Sequence, residues 1–367
     1  MSDEDFMRQA LAWGREGLGL TGENPSVGAL LVKDGVVIGA GRTGAGGRPH
    51  GETKVIADAG EAAKGATLYV TLEPCSHHAK TPPCVEAIIA AGIARVVSAM
   101  EDPDARVAGR GHKRLREAGL AVEVGLGARQ ARIDHRGHIL RVMQGRPMVT
   151  LKLARTADGY AAGDDYDPRL HITGQEADRR VHEMRAAHDV IMIGIGTARI
   201  DDPLLTVRLP GSSARPLRVV LDPHLRLSAT SRLCATAREF PTLVIGADGA
   251  DAGRQTILEA RGVVVARVAA DRLGRLDLSA ALRCLAARGH SRIFSEGGPR
   301  IGASLVMAGL ADDVALITAL RPLGRPGLPA LDAPALAMLE NRQNYAEVEN
   351  TALGVDRLRL LRKIDWE

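Results

Sequence analysis

The sequence predicts two consecutive α/β domains, and three observations support this fold class. The chain has 367 residues, which exceeds the usual size of one domain. Apolar runs of strand length alternate with helical stretches along most of it. This alternation restarts near Gly145-Arg146-Pro147, where turn-forming residues interrupt it. We therefore expect one domain over residues 1–146 and a second over 147–367.

The first domain alternates helices and strands in chain order. Residues 4–18 have the spacing of an amphipathic helix, and "VGALLVKDGVVIGAGR" predicts a hairpin that turns at Lys33-Asp34-Gly35. The pattern then predicts a helix over 51–63, a buried strand "ATLYVTLEPC" that runs into Cys75, and a helix "CVEAIIAAG". A strand "ARVVSAM", a helix "GRGHKRLREAG" and a short strand "AVEVG" follow.

The second domain shows seven buried apolar runs that predict strands. Helices are expected between several of them, for example over 175–186 and 278–288. The runs are "MVTLKLA", "DVIMIGIG", "LRVVLD", "TLVIGA", "VVVARV", "RIFSEGG" and "DVALITAL".

The composition is that of a globular protein and argues against several classes. Hydrophobic residues make up 45% and charged residues 25% of the chain, which does not suit disorder, collagen or a coiled coil. Four cysteines in a chain of this length predict no disulfide framework. The start "MSDEDFMRQA" is acidic, and we find no apolar run near 18 residues, so neither a targeting peptide nor a membrane span is expected. These features predict a cytoplasmic protein.

The charge balance favours a small anionic ligand. The net charge is +4 and the pI is about 9.0, but the basic residues are scattered among acids rather than clustered. A nucleic-acid deaminase would need a basic channel rich in aromatic residues. Aromatic residues make up only 2% of the chain, which argues against that hypothesis.

A histidine, a glutamate and two cysteines form the first candidate site. His50 and Glu52 lie in "PHGETKVI", and Cys75 and Cys84 begin and end the core of "EPCSHHAKTPPC". One imidazole and two thiolates suit zinc, and three protein ligands leave a fourth position for water. Zinc lowers the pKa of bound water to about 7, and a nearby carboxylate that is not a ligand can carry protons. A purely structural zinc site would need a fourth ligand, for which only His77 or His78 lie near in sequence.

These residues resemble the zinc-dependent nucleobase deaminases, whose pattern is H-x-E followed by P-C-x-x-C. Eight residues instead of two separate the cysteines here. That longer insert is similar to the pyrimidine deaminases of riboflavin biosynthesis. The stretches "ENPSVGALLVKDG", "YVTLEPCSHHAKTPPC" and "MEDPDARVAGRG" also resemble this family.

The resemblance implies a cytidine-deaminase-like fold and a hydrolytic mechanism. Zinc would be held by His50, Cys75 and Cys84, and Glu52 would be the general acid and base. Zinc hydroxide would attack the ring carbon that bears the amine of 2,5-diamino-6-(5-phosphoribosylamino)pyrimidin-4-one, and ammonia would leave. The substrate contacts implied are Asn24, His77 and Lys80. The chain departs from the family at Gly51, where alanine is usual, and at Thr43, which replaces a histidine.

The second candidate site lies in the C-terminal half. "IGIGTARIDDPLLTVRLP" matches a G-x-G-x-x-G fingerprint only in part, so we do not predict a Rossmann dinucleotide fold. "FSEGGPRIGASL" predicts a strand followed by a helix whose free N–H groups can bind phosphate. Together with "LKLARTADG", "ITG", "MRA" and "SEGGP", these stretches resemble the pyrimidine reductase domain that many bacteria fuse to this deaminase.

This second resemblance implies a dihydrofolate-reductase-like, three-layer fold, with NADPH as cofactor. Hydride would reach C1 of the sugar, and the ribosyl group would become ribityl. Asp201 would be the catalytic residue, as a proton donor or an orienter during reduction, and a homodimer through this domain is implied. The implied substrate contacts are Lys152, Arg169, Arg185, Leu205, Arg208 and Glu296, with the two arginines Arg185 and Arg208 suited to the phosphate. The implied cofactor contacts are Ala154, His171, Thr197, Asp201, Gly298, Pro299, Arg300, Ile301, Gly302, Ala303 and Ser304.

One departure leaves an alternative open. The family usually has "SxWIT" where this chain has "DPRLHIT", with Arg169 and His171. The alternative is therefore an active deaminase with a degenerate or non-catalytic reductase-like binding domain.

Overall fold

The computed structural model describes residues 1–77, 82–105, 108–163 and 171–364. The chain divides into two compact units, Met1–Arg146 (unit 1) and Pro147–Glu367 (unit 2). None of the helices within the described ranges is long and apolar enough to cross a membrane.

Unit 1 is built on a five-stranded sheet of order β2-β1-β3-β4-β5. β1 is antiparallel to β2 and β3, and β3, β4 and β5 are parallel to one another. The strands are β1 (Gly28–Lys33), β2 (Val36–Arg42), β3 (Thr67–Val70), β4 (Arg95–Ser98) and β5 (Ala121–Val124). The helices are α1 (Asp3–Glu16), α2 (Gly51–Ala59), α3 (Cys84–Ala90), α4 (Arg110–Glu117), α5 (Ala128–Asp134) and α6 (Arg136–Gln144).

Local chemistry explains where several of these elements begin and end. Ser2 and Asp5 form a reciprocal capping box at the start of α1. Asp34 and Gly35 both have positive φ (51° and 76°), as a tight two-residue hairpin turn requires. The predicted strand into Cys75 is wrong in extent, because β3 ends at Val70. The sequence patterns also did not reveal α5 and α6.

Unit 2 is built on a nine-stranded sheet of order β11-β10-β9-β8-β12-β6-β13-β16-β15. The strands are β6 (Met148–Arg155), β7 (Tyr160–Ala162), β8 (Val190–Gly194), β9 (Leu217–Leu221), β10 (Thr242–Ala247), β11 (Val264–Val268), β12 (Arg292–Ser295), β13 (Asp313–Thr318), β14 (Leu328–Pro329), β15 (Tyr345–Leu353) and β16 (Asp356–Lys363). The helices are α7 (Gln175–Ala186), α8 (Ile195–Asp201), α9 (Arg232–Ala235), α10 (Ala252–Ala260), α11 (Leu278–Ala287), α12 (Pro299–Met307) and α13 (Ala333–Glu340).

The large sheet is parallel from β11 to β13, and β16 and β15 add an antiparallel hairpin. The residues of β8 show that both faces of this sheet are covered. Val190 and Met192 belong to one core cluster, whereas Ile191 and Ile193 belong to another. Because alternate strand residues point to opposite faces, helices must pack on both sides of the sheet. The three-layer α/β class predicted for this unit is confirmed.

The predicted helices and strands of unit 2 are present, but "RIFSEGG" is strand only to Ser295, and the short strands β7 and β14 were not predicted. The predicted helix over 175–186 coincides with α7. The run "DVIMIGIG" is strand only to Gly194, because α8 begins at Ile195. The C-terminal hairpin of β15 and β16 was not predicted.

Candidate functional site

Two helix N-termini and one irregular segment bring the candidate zinc ligands together. His50 is the N-cap of α2, and its side chain makes no capping hydrogen bond. Cys84 is the first residue of α3, and its backbone N–H donates to Cys75 Sγ (3.3 Å). A helix N-terminus stabilises a nearby thiolate, so this arrangement favours metal-ligating cysteines.

The distances among these three side chains suit a zinc ion. His50 Nδ1 lies 3.2 Å from Cys84 Sγ and 3.7 Å from Cys75 Sγ. Nitrogen and sulfur ligands on one tetrahedral zinc would lie roughly 3.6 Å apart, from Zn–N near 2.0 Å and Zn–S near 2.3 Å. All three ligand atoms lie within 4.8 Å of one another. The residues present therefore fit the metal that the sequence predicts.

The pKa values of these three side chains reflect their proximity. A hydrogen bond from the Cys84 thiol lowers the pKa of Cys75 to about 4, and the same bond raises the pKa of Cys84. The hydrogen bond with Cys75 raises the pKa of His50. Cys75 is therefore the more acidic of the two cysteines, and a cation at the centre of the cluster would stabilise both thiolates.

Glu52 lies on the first turn of α2 and is almost completely buried, with 3% exposure. Its Oε2 atom has no hydrogen-bond partner. Burial raises the pKa of this carboxyl group. A proton shuttle needs a buried carboxyl group with one free oxygen beside the metal site, and Glu52 has this arrangement beside the three candidate zinc ligands.

Gly51 allows α2 to approach β1 closely. It is the first residue of α2 and is buried. A Cβ atom at this position would lie 2.7 Å from the carbonyl oxygen of Val27. The alanine that is usual in the family would therefore require a shift of backbone in this chain.

The structure gives mixed support to the predicted substrate contacts in unit 1. Asn24 is half-buried, and its Nδ2 donates to the carbonyl of Gly47 (3.0 Å), which leaves its Oδ1 available. His77 has a buried Nδ1 without a hydrogen-bond partner, whereas Lys80 lies outside the described residues. Thr43 braces the chain, because its Oγ1 donates to Pro25 (3.1 Å) and accepts from Val27 N–H (2.9 Å).

Glu73 holds the segment before Cys75, and the sequence reading did not identify this role. Its carboxylate is buried and accepts four backbone N–H groups, at 2.8 to 3.2 Å. Two belong to the loop before α4 and two to the first turn of that helix. These bonds hold the irregular segment that follows β3. The donors are the N–H groups of Asp102, Gly109, Gly111 and His112.

The same carboxylate belongs to a second group of residues that could in principle bind a metal, with Glu101 and His112. Both Glu73 oxygens already accept two N–H groups each. We therefore assign this group to structure and not to metal binding.

In unit 2, Arg185 and Glu296 form a bidentate ion pair. Arg185 Nε and Nη2 donate to the two carboxylate oxygens at 2.6 and 2.9 Å, and both side chains are only 11–12% exposed. Burial alone would raise the pKa of Glu296. The charge and hydrogen bonds of Arg185 outweigh the effect of burial, so the pKa of Glu296 is lowered. Arg185 Nη1 donates to the carbonyl of Thr206 (3.0 Å). The guanidinium predicted to grip phosphate is thus already bonded on three sides.

The segment Leu204–Arg208 follows α8 and carries two predicted substrate contacts. Leu205 is buried and has a positive φ of 52°, which is a strained conformation for a non-glycine residue. The side chain of Arg208 is exposed. Lys152 and Ala154 alternate along β6 and therefore share one face of the sheet.

The predicted cofactor contacts fall on the first turns of α12 and on α8. A Cβ atom on Gly298 would lie 3.3 Å from Thr197 Oγ1, so these two positions are adjacent. Gly298 is the N-cap of α12, and the first N–H groups of this helix have no partner within the helix. Gly302 and Ala303 are buried, so the predicted run 298–304 is not uniformly available to a ligand.

The remaining predicted positions differ in exposure. Pro299 and Ile301 are half-buried, and Arg300 and Ser304 are exposed on α12. Asp201 is the half-buried last residue of α8. His171 is exposed, and Arg169 lies outside the described residues.

Comparisons with known proteins match a separate family to each of the two units. Residues 1–100 match the family described as the cytidine and deoxycytidylate deaminase zinc-binding region, and residues 147–342 match the RibD C-terminal domain. The chain is 36% identical to riboflavin biosynthesis protein RibD of Bacillus amyloliquefaciens, over 96% of this chain and 97% of the relative. It is 35% identical to RibD of Escherichia coli K12, over 97% and 98%.

Solved structures of similar proteins superpose on nearly the whole chain. Acinetobacter baumannii RibD superposes with a TM-score of 0.86 at 31% identity, covering 99% of each chain. A diaminohydroxyphosphoribosylaminopyrimidine deaminase/5-amino-6-(5-phosphoribosylamino)uracil reductase from Thermotoga maritima superposes with a TM-score of 0.82 at 30% identity, covering 98% of each.

The fold and the two sites define a two-domain enzyme, with a zinc deaminase unit followed by a reductase unit. The chain belongs to the RibD family of riboflavin biosynthesis. It is a bifunctional zinc-dependent deaminase and NADPH-dependent reductase, with Zn²⁺ and NADPH as cofactors and a small-molecule substrate. Nothing in these likenesses favours the alternative of a non-catalytic second domain.

Proposed function

We propose that unit 1 deaminates 2,5-diamino-6-(5-phosphoribosylamino)pyrimidin-4-one and that unit 2 reduces the ribosyl group of the product to ribityl. The observation that carries the first half is the partly buried cluster of His50, Cys75 and Cys84, with the buried Glu52 beside it. When bound there, zinc would act as a Lewis acid that lowers the pKa of a water molecule to about 7.

The residues of unit 1 would divide the work between binding and proton transfer. His50, Cys75 and Cys84 would hold the metal. Glu52 would accept a proton during attack on the ring carbon and deliver it to the departing amine nitrogen, because its free Oε2 and raised pKa suit both directions. Asn24, with Oδ1 available, would orient the pyrimidine. His77 and Lys80 would contact the same substrate.

In unit 2, we propose that Arg208 carries most of the phosphate binding. Its side chain is exposed, whereas Arg185 is bonded to Glu296. Arg185 would then hold Glu296 in place for the substrate. Leu205, Lys152 and Arg169 complete the proposed substrate contacts.

NADPH would supply the hydride, and the residues around the start of α12 would bind it. The adjacency of Thr197 and Gly298 supports this placement. Free N–H groups at a helix start favour a phosphate, and Pro299 at the first helical position leaves the helix intact. The other proposed contacts are Ala154, His171, Asp201, Arg300, Ile301 and Ser304, with Asp201 as the proton donor.

One experiment separates the two activities. Glu52→Gln should abolish ammonia release from the diaminopyrimidine, while NADPH oxidation on the deaminated product continues at the wild-type rate. Zinc should remain near one per chain, because Glu52 is not a ligand. Normal ammonia release by this variant would overturn the proposed mechanism. Failure of the unmodified chain to oxidise NADPH would support the alternative of a binding module.

We further propose that the chain acts in the cytoplasm and forms a homodimer through unit 2. The family resemblance supports both. β15 ends the nine-stranded sheet, and such an edge offers unpaired backbone groups. Analytical ultracentrifugation of the full chain and of a chain truncated to residues 147–367 would test the dimer. A monomeric full chain would contradict it.

A further inference from the structure

Side chains from two elements hold the backbone of the Leu204–Arg208 segment at three alternate residues. Arg218 Nη1, from β9, donates to the carbonyl of Leu204 (3.0 Å). Arg185 Nη1, from α7, donates to the carbonyl of Thr206 (3.0 Å). The backbone N–H of Arg208 donates to His182 Nδ1 (3.1 Å), also on α7. None of these contacts belongs to regular secondary structure.

Packing alone does not hold this segment. A cavity of about 250 Å³ is lined by Leu205, Thr206 and Val207, together with residues of the loop before β9. Leu205 also has the positive φ noted above, and such a conformation persists only where its surroundings enforce it. The three polar contacts therefore act together with the packing of Leu205 in the core to set where the segment lies.

His182 can accept the Arg208 N–H because it is neutral. It is 8% exposed. Burial and the charges of Arg185 and Arg208 lower its pKa to about 4, against the opposing influence of Glu296 and Asp178. A protonated imidazole donates at both nitrogens and could not accept this bond.

We propose that His182 is a positioning residue for the reductase. Through the backbone of Arg208, it places that guanidinium against the substrate phosphate. This rests on the proposed contact between Arg208 and the phosphate. In this role His182 acts through its hydrogen bond with the Arg208 N–H and not by direct contact with the substrate or NADPH.

The test compares two substitutions at His182 in the zinc-loaded full chain. His182→Leu removes the acceptor, whereas His182→Asn places a side-chain oxygen near the position of Nδ1. We expect His182→Leu to raise KM for the deaminated pyrimidine about tenfold, a loss of one buried hydrogen bond, with KM for NADPH unchanged. His182→Asn should stay within about threefold of the wild type. Arg179→Leu, an exposed position on the same helix, is the control.

Two further variants separate the positioning role from the phosphate contact. Arg208→Ala should raise KM for the pyrimidine by itself, and adding His182→Leu to it should change little further. A silent Arg208→Ala would contradict the proposed phosphate contact. An impaired Arg208→Ala with a silent His182→Leu would overturn the positioning role alone.

Three other outcomes would also overturn it. The first is an equal rise in KM for the pyrimidine in the His182→Asn and His182→Leu variants. The second is a rise in KM for NADPH as large as the rise in KM for the pyrimidine. The third is a failure of both His182→Leu and His182→Ala to bind NADPH, which would assign His182 to folding.

Discussion

The carboxylate of Glu73 offers the sharpest test of how unit 1 is held together. Glu73→Gln keeps the size of the side chain but replaces one carboxylate oxygen with an NH₂ group. Each oxygen accepts two backbone N–H groups, so whichever way the amide turns, two N–H groups face a donor. The same change weakens the hydrogen bonding that holds the segment before Cys75, which lies two residues after Glu73.

The magnitude follows from these two lost bonds. A buried N–H left without an acceptor costs about 1–3 kcal/mol, so two cost about 2–6 kcal/mol. This is a large fraction of the 5–15 kcal/mol that stabilises a typical domain. For a unit of about this size, 1 kcal/mol shifts Tm by roughly 3–4 °C. We therefore expect Tm of unit 1 to fall by about 6 °C or more.

Differential scanning calorimetry of the zinc-loaded full chain would measure this change. Glu101→Gln is the matched control, because Glu101 lies in the same cluster but is exposed. The transition of unit 2, identified by its response to NADPH, should not move. A Glu73 variant with Tm within about 2 °C of the wild type would refute the assigned role.

Three further predictions concern single residues. Gly51→Ala should destabilise unit 1 by about 1–3 kcal/mol, since its Cβ would meet the Val27 carbonyl; a rise in Tm would contradict this. Glu296→Gln should cost unit 2 about 2–3 kcal/mol by leaving Arg185 partly unpaired, as chemical denaturation would show; an unchanged midpoint would count against it. Burial lowers the pKa of His188 to about 3, below its ordinary value of 6.5. The unfolded chain therefore takes up a proton that the folded chain does not, and stability is lost as pH falls from 6.5 towards 3. At pH 5 the loss is about 2 kcal/mol, and His188→Asn should remove it from the measured pH dependence of unfolding; an unaltered slope would argue against the assignment.

Elements with a strong hydrophobic periodicity were predictable from the sequence, and strands at the edge of the sheet were not. The helix over 175–186 was correct because its apolar residues recur at helical spacing and become buried, among them Val181 and Met184. The hairpin of β15 and β16 was missed because most of β15 is exposed at the end of the sheet. Such a strand carries polar residues in place of an apolar run.

The extent of β3 shows a different cause. "ATLYVTLEPC" is apolar enough to continue as a strand, but the chain turns away after Val70. The segment that follows is held by hydrogen bonds from the N–H groups around the start of α4 to Glu73, more than 28 residues apart in the chain. Sequence periodicity contains no signal for a bond of this kind.

The sequence by itself determined the two α/β domains, the chemistry of the zinc ligands and the family. These follow from residue types and short spacings, such as that of His50 and Glu52, which do not depend on the tertiary structure. Tertiary structure alone decided that Gly51 permits a close approach, that Thr43 braces a turn, and that Arg185 is committed to Glu296, 111 residues away. The physical reason is that a buried charge or N–H group must find a partner wherever the fold provides one, and that partner is not a neighbour in sequence.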